Sequence, residues 1–233
     1  MAVHPKSEIR KGEILRAAEK VFARNGYQEA TISDVARQAK VSEATIYEYF
    51  PSKEELLFSI PGETARRARE RIEDILQYIR GTSNKLRAII YQYLWFYENN
   101  PDYSAVVLLI LKQNRRFLEV AAYQDVRALA RFVMDIVKEG IAAGEFRDDI
   151  NPFLVRSIIL GTIEHLVIRR VLLGGPERLV ELVDPLIDLI ISGIDARKEE
   201  KIWNVRIGMD QAEKMEKGKP FSEKKGKHPG RQR

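Results

Sequence analysis

The stretch "VSEATIYEYFPSKEELL", Val41–Leu57, decides the fold: a helix-forming run carrying two tyrosines stops at Pro51 and restarts at once. A helix of two turns is marginal alone in water, so neighbouring elements must hold it. Ser42 can cap its start, and Ile46 and Phe50 are its inward residues. Pro51 cannot continue the helix without losing a hydrogen bond, and Ser52 with Glu55 makes an S-x-x-E capping box for the next one. The outward face, Glu43, Ala44, Thr45, Tyr47, Glu48 and Tyr49, is then displayed from a platform that its neighbours build.

Those neighbours are legible upstream. From Ser7 to Asn25, apolar residues fall at Ile14/Leu15, Ala18 and Val21/Phe22, one face of a helix, and "NGY" supplies a glycine stop. Thr31 with Asp34 resembles a capping box, and Ile32, Val35, Ala36 and Ala39 follow at helical spacing. "AKV" makes a tight turn, so the order is helix, turn, helix. Beyond Leu57 the composition predicts helices to about Ile194, with breaks at "PG" (61–62), "GTSN" (81–84), "NNPD" (99–102), "GEFRDDINP" (144–152) and "GGP" (174–176). No alternating strand pattern longer than a few residues occurs, so the expected class is all-α. The expected domains are 1–57, a three-helix helix-turn-helix unit; 58–195, a helical bundle; and 196–233, a basic, largely disordered tail.

Composition narrows the chemistry. The chain has 233 residues, 45% hydrophobic, with no cysteine, which removes disulfides and thiolate chemistry. Histidines occur only at positions 4, 165 and 228, too scattered for a metal site or a Ser-His-Asp arrangement, so neither metal nor cofactor is expected. No apolar run reaches membrane-spanning length, and "MAVHPKSEIRKGEIL" lacks a signal-peptide core; a cytoplasmic protein with no membrane partner is expected. The net charge of +5 belongs to the tail, where residues 196–233 hold 12 Lys+Arg against 6 Asp+Glu, leaving the preceding residues at −1. Any DNA affinity of the body must therefore come from placed cations and backbone donors.

The segment "ILRAAEKVFARNGYQEATISDVARQAKVSEATIYEYFPSKEELL", Ile14–Leu57, resembles the DNA-binding domain of the TetR family of transcriptional regulators. The Gly26-Tyr27 stop, the Thr31 cap, the Thr45-Ile46-Tyr47 core and Lys53-Glu54 all arrive in register. A weaker likeness, "VKEGIAAGEFRDDINPFLVRSIILGTIEHLV" from Val137 to Val167, is similar to acyl-CoA-responsive repressors of fatty-acid metabolism in that family. Two positions depart from the family pattern. Lys40 stands where glycine is usual, at a cost of roughly 1 kcal/mol if positive φ is required. Pro61-Gly62 interrupts what is usually one long fourth helix, and a kink there would make a hinge.

The resemblance implies roles residue by residue. Thr31, Thr45, Tyr47 and Lys53 match phosphate-positioning residues; Ser33, Glu43, Ala44 and Tyr49 match base-contacting ones, and Ser42 completes the DNA-facing set. Glu43 could accept from a cytosine amino group and Ala44 could pack on a thymine methyl; alternatively Glu43 and Glu48 only solubilise an exposed face. The stretch Leu86–Gln113, apolar nearly all round, would be core or would border a ligand pocket with Tyr93, Tyr97, Leu111, Phe132 and Ile136. Glu164-His165 inside "SIILGTIEHLVI" is either a satisfied polar pair or a pocket or subunit contact, and Arg115-Arg116 either greets an acidic ligand head or is solvated. The helices on either side of Gly174-Gly175 would expose a broad apolar stripe in a monomer, and the resemblance implies a homodimer placing two reading helices about 34–36 Å apart on an operator.

The expected function is a DNA-binding regulator, a repressor, that grips a palindromic double-stranded operator and is released by an apolar or amphipathic effector such as a long-chain acyl-CoA. The fourth helix with its "RRARER" cations is the expected transmitter. The rivals are a constitutive architectural DNA-binding protein with a filled body, and an all-α enzyme using Glu164 and His165. The tail could add non-specific DNA affinity, or dock on the body through Ile202, Trp203, Val205 and Ile207.

Overall fold

One long helix and two short ones assemble around Phe22 and Ile46, each with no exposed surface, and a second long helix carries that unit into a helical bundle. The structure, a computed structural model, describes residues 5–196, with side chains from Ser7 onward. The tail, with the docking residues Ile202 to Ile207, lies outside the described residues, as do His4 and His228. The elements are α1 (Pro5–Glu29), α2 (Ile32–Ala39), α3 (Glu43–Tyr49), α4 (Lys53–Leu76), α5 (Thr82–Asn99), α6 (Pro101–Ala105), α7 (Ala121–Ala142), α8 (Pro152–Leu173) and α9 (Val183–Ile194). Among the described residues the only β feature is a single antiparallel bridge, Phe146 with Asp195, which ties the end of α9 to the α7–α8 loop.

The caps read from the sequence define the first four elements. Gly26 (φ 72, ψ 166) breaks the path of α1, and one last turn follows to Glu29. Thr31 and Asp34 form the reciprocal capping box of α2, and Ser42 accepts from the Thr45 N–H at the start of α3. Lys40 sits in the left-handed region (φ 57, ψ 44), so the turn keeps the glycine-type shape despite the lysine. The Lys40 N–H donates to the Arg37 carbonyl at 3.3 Å and the Val41 N–H to the Ala36 carbonyl at 3.0 Å. These two bonds satisfy the last carbonyls of α2 and hold the strained residue in place.

Two expectations are corrected. The break at Pro61-Gly62 does not end a helix: α4 runs unbroken from Lys53 to Leu76, and the expected 57/58 domain boundary falls inside it. Ile60, Pro61 and Gly62 are all buried, and Gly62 lies so close to α7 that a Cβ there would meet the Ala122 Cβ at 2.9 Å. Tertiary packing therefore outweighs the one hydrogen bond that proline removes. The second correction concerns the apolar stretch Leu86–Gln113 and the residues up to Glu119: α6 passes into a π turn, Val106–Ile110, and two 3-10 turns, Leu111–Gln113 and Arg115–Glu119. The Leu111 N–H donates to the Val106 carbonyl, five residues back, which puts Val106 and Leu111 on one buried side, both with no exposed surface. Asn114 then leaves the helical path and its side chain caps the next turn by accepting from the Arg116 N–H at 3.0 Å.

Candidate nucleic-acid interface and apolar cleft

The outer face of α3 is formed as its sequence suggests. Ile46 is fully buried, whereas Ser42, Glu43, Ala44 and Glu48 are exposed and Tyr47 is 50% exposed. The Ser42 hydroxyl lies 2.9 Å from the Thr45 hydroxyl, and Thr45 is half-buried beside the helix start. Thr31 and Ser33 are exposed at the N-terminus of α2. The Thr31 hydroxyl donates to Asp34 Oδ2 at 2.7 Å, and with the Thr31 N–H bond it holds the Asp34 carboxyl below its usual pKa; Arg37 adds to the effect. The two tyrosines divide: Tyr47 projects outward, while Tyr49 is half-buried and its hydroxyl accepts from Ser7 Oγ of α1 at 3.4 Å. Lys53 also turns inward. Its ammonium donates to the carbonyls of Tyr27 at 2.8 Å, Gln28 at 3.3 Å and Ala30 at 2.9 Å, and sits 4.5 Å over the Tyr27 ring. All three of its protons are directed at the carbonyl-rich end of α1.

Deeper in the chain, α4, α5 and α7 enclose an apolar cleft of about 60 Å³, with Tyr103 from α6 at its side. Ala65, Ala68 and Ile72 of α4 form one wall, Tyr93, Phe96 and Tyr97 of α5 another, and Leu129 of α7 closes it. Phe96, Tyr97 and Tyr103 touch edge-on or tilted, with ring centroids 5.0–6.4 Å apart. Burial pushes the phenols of Tyr93, Tyr97 and Tyr103 far above their ordinary pKa, with smaller contributions from neighbouring tyrosines and from Glu164 or Glu19, so all three stay neutral hydrogen-bond donors. Arg71 and Gln92 bring polar groups to the same lining. Of the five expected lining residues, Tyr93 and Tyr97 border this cleft; Leu111, Phe132 and Ile136 do not, Leu111 being sealed in the core behind the π turn and Ile136 nearly so. The sequence signal for the missed members on α4 was Ala65, Ala68 and Ile72, an apolar stripe at helical spacing within a charged run.

Two of the polar residues singled out in the sequence, Glu164 and Arg116, are paired. Glu164 forms an ion pair with Lys112, while His165 next to it is exposed, so the two side chains do not meet at one centre. Arg116 reaches Glu54 at the start of α4 at 2.9 Å, and Phe117 meets the Phe58 ring at 5.7 Å; the 3-10 turns thus touch the head end of α4 directly. The cations of "RRARER" are largely taken up locally, Arg66 and Arg67 by Glu63 and Arg69 by Glu73.

Comparison with known proteins agrees with this arrangement. Residues 14–60 match the model of the bacterial regulatory proteins of the tetR family, and residues 64–193 match that of the C-terminal region of the YsiA-like protein. The fatty acid metabolism regulator protein of Bacillus subtilis (strain 168) is 30% identical over 182 residues, covering 78% of this chain and 94% of that protein. The crystal structure of the regulator FadR from Bacillus subtilis in complex with stearoyl-CoA superposes with a TM-score of 0.71 at 29% identity, over 78% of this chain and 98% of the other. The fatty acid degradation regulator FadR from Bacillus halodurans gives a TM-score of 0.75 at 25% identity, over 83% and 98%. Among the described residues no helix is long and apolar enough to cross a membrane. A helix-turn-helix head matching one family model, joined by a continuous α4 to a body matching its companion, makes this chain a member of the TetR family of bacterial DNA-binding transcriptional regulators.

Proposed function

We propose that this protein is a homodimeric repressor of fatty-acid metabolism genes, acting on operator DNA in the cytoplasm and released by a long-chain acyl-CoA. The observation that carries the reading is α4 itself. Its first turn is in the head, where Lys53 meets the end of α1 and Glu54 meets Arg116 of the 3-10 turns, and three turns later Ala65, Ala68 and Ile72 form a wall of the aromatic cleft. A cleft of about 60 Å³ holds a few waters and no long acyl chain, so a chain can enter only by parting α4 from α5 and α7. An effector that prefers the parted state must then weaken any DNA complex that requires the closed one, by its differential affinity. The likeness to a FadR crystallised with stearoyl-CoA supports the choice of effector class.

The DNA-facing set in this reading is Thr31, Ser33, Ser42, Glu43, Ala44, Thr45, Tyr47 and Tyr49, with Glu43, Ala44 and Tyr47 the most outward. Dimerisation through α8 and α9 is supported by six large apolar side chains, Phe153, Leu154, Ile158, Leu172, Leu173 and Leu189, that are 50–76% exposed in the single chain. No catalytic role is assigned: Glu164 is engaged by Lys112 and His165 is solvent-facing. The test is fluorescence anisotropy on the protein's own upstream DNA. Saturating stearoyl-CoA should weaken binding at least tenfold while free CoA leaves it unchanged; equal affinity in all three conditions would sink the proposal.

A further inference from the structure

The side chains assigned to the DNA face bring no free cation to it. Thr31, Ser33, Ser42, Thr45, Tyr47 and Tyr49 are neutral, Ala44 is apolar and Glu43 is acidic, while Lys53 is spent on the carbonyls at the end of α1. Duplex DNA carries a negative charge about every 1.7 Å of its axis, so a head that grips it has to neutralise phosphates with lysine or arginine. Two further cations of the head are engaged, Arg10 by Glu13 at 3.1 Å and Arg37 by Asp34 at 2.6 Å. Arg16 and Lys40 are exposed and form no ion pair among the described residues, although Arg16 lies near enough to Glu19 to oppose the rise in its pKa. Both line one open groove of about 370 Å³ between the first half of α1 and the turn after α2, and its one carboxylate, Glu13, is the one that Arg10 holds. The two walls of the groove lead to α3. Lys40 is two residues before Ser42, which caps α3, and Ser7 of α1 bonds Tyr49 in the last turn of α3 at 3.4 Å. The Arg16 guanidinium reaches back along α1 towards that end, its Nη1 lying 3.5 Å from where a Cβ on Gly12 would be.

We propose that Arg16 and Lys40 hold the phosphate backbone of the operator beside the bases that α3 reads, as a pair of cations outside the set that the family resemblance implies. The inference rests on the reading of α3 as the DNA-facing helix. Lys40 carries a second argument, because its backbone stands at φ 57, where a residue with a Cβ is strained and glycine is not. A role for the side chain accounts for a lysine at such a position, and this one is exposed, unpaired and next to the reading helix. Charge balance points the same way. Residues 1–195 carry a net charge of −1, so no general positive field draws DNA to the body and the attraction has to be local. Phosphate contacts fix register and orientation without reading sequence, so the pair acts on affinity and on its salt dependence and leaves the choice of bases to α3.

The test is fluorescence anisotropy of the full chain on its own upstream DNA and on a scrambled duplex, between about 50 and 200 mM salt. The proteins are wild type, R16Q/K40G, R16K/K40R and, as a charge control, R127Q, which removes an exposed cation of α7. Lys40→Gly takes away strain together with charge, so weaker binding by that variant is not a loss of fold. Each phosphate contact contributes about −0.9 to the slope of log K against log salt. R16Q/K40G should therefore flatten the slope by about 1.8 and bind both duplexes about tenfold more weakly at the low-salt end, whereas R16K/K40R and R127Q should stay within about twofold of wild type. A slope for R16Q/K40G within about 0.5 of wild type overturns the inference. So does an equal change in R127Q, which would make the effect one of net charge alone, and so does a loss confined to the upstream DNA, which would assign the pair to base reading. Wild type that binds its upstream DNA no better than the scrambled duplex overturns the reading of α3, and this inference with it.

Discussion

Replacing Lys53 with methionine separates two roles for the residue that starts α4. The resemblance of the head to TetR regulators implies a phosphate-positioning role for Lys53, but its ammonium is directed at the carbonyls of Tyr27, Gln28 and Ala30 at 2.8–3.3 Å. Methionine keeps the stem and removes the charge. Charge-assisted hydrogen bonds are worth about 1.5–3 kcal/mol each when fully buried, and a cation at a helix C-terminus up to about 2 kcal/mol. The site is half-buried and freed carbonyls can rehydrate, so the combined loss should be about 2 kcal/mol, including the cation–π contact with Tyr27. Urea unfolding at fixed protein concentration measures that loss, and the salt dependence of operator binding measures the other role. A phosphate contact contributes about −0.9 to the slope of log K against log salt. The expected result is a midpoint shift equivalent to about 2 kcal/mol with the slope unchanged. A stability change below about 0.5 kcal/mol together with a slope shallower by about 1 would refute the assignment of Lys53 to α1.

Three further perturbations probe other parts of the molecule. Lys40→Gly relieves a left-handed residue whose hydrogen bonds glycine retains, and thermal melts should show a gain of about 0.5–1 kcal/mol; a loss would mean that the lysine side chain stabilises the turn. Gly62→Ala would gain helix propensity in isolation, but the added Cβ meets Ala122 at 2.9 Å across α4 and α7, so a net loss of about 1–2 kcal/mol is expected, and a more stable variant would contradict the close approach. Glu19 lies on α1 next to α6, and burial, assisted by Asp102 and opposed by Arg16 and Lys20, lifts its pKa from 4.5 to about 7. The folded chain then holds a proton that the unfolded chain releases, so this group's contribution is fully present below pH 4.5 and is lost as pH rises through about 7. Glu19→Gln should therefore melt higher than wild type at pH 8, by up to about 2 kcal/mol, with the advantage shrinking towards pH 5; an offset independent of pH would rule out titration of this carboxyl.

The head was legible because its signals are local. Thr31, Ser42 and Ser52 each bond a backbone N–H within three residues, so spacing alone identifies them. Pro61 misled for the same reason: its local preference is to break a helix, and what overrides it is contact with α7, some sixty residues later. The π turn after Ala105 follows from aligning Val106 with Leu111 in the core, a tertiary demand that leaves no mark in an apolar run. Lys53 is similar, since nothing near it in sequence reveals that the end of α1 lies within reach. The aromatic helix α5 was visible as a cleft wall, yet only Tyr93 and Tyr97 of the five expected residues line it, because which turn of α7 faces α5 depends on the packing of whole helices.

In the proposed mechanism, parting α4 from α5 and α7 loosens the grip on DNA. The most direct measurement fills the cleft: operator affinity of wild type and of Ala68→Phe, each with and without stearoyl-CoA. Ala68 is half-buried on the α4 wall, and a phenyl ring there takes up the small free volume beside Tyr93 and Tyr97. Stearoyl-CoA should lower wild-type affinity at least tenfold and change that of the filled variant less than twofold. An equal loss of affinity in both proteins would contradict it.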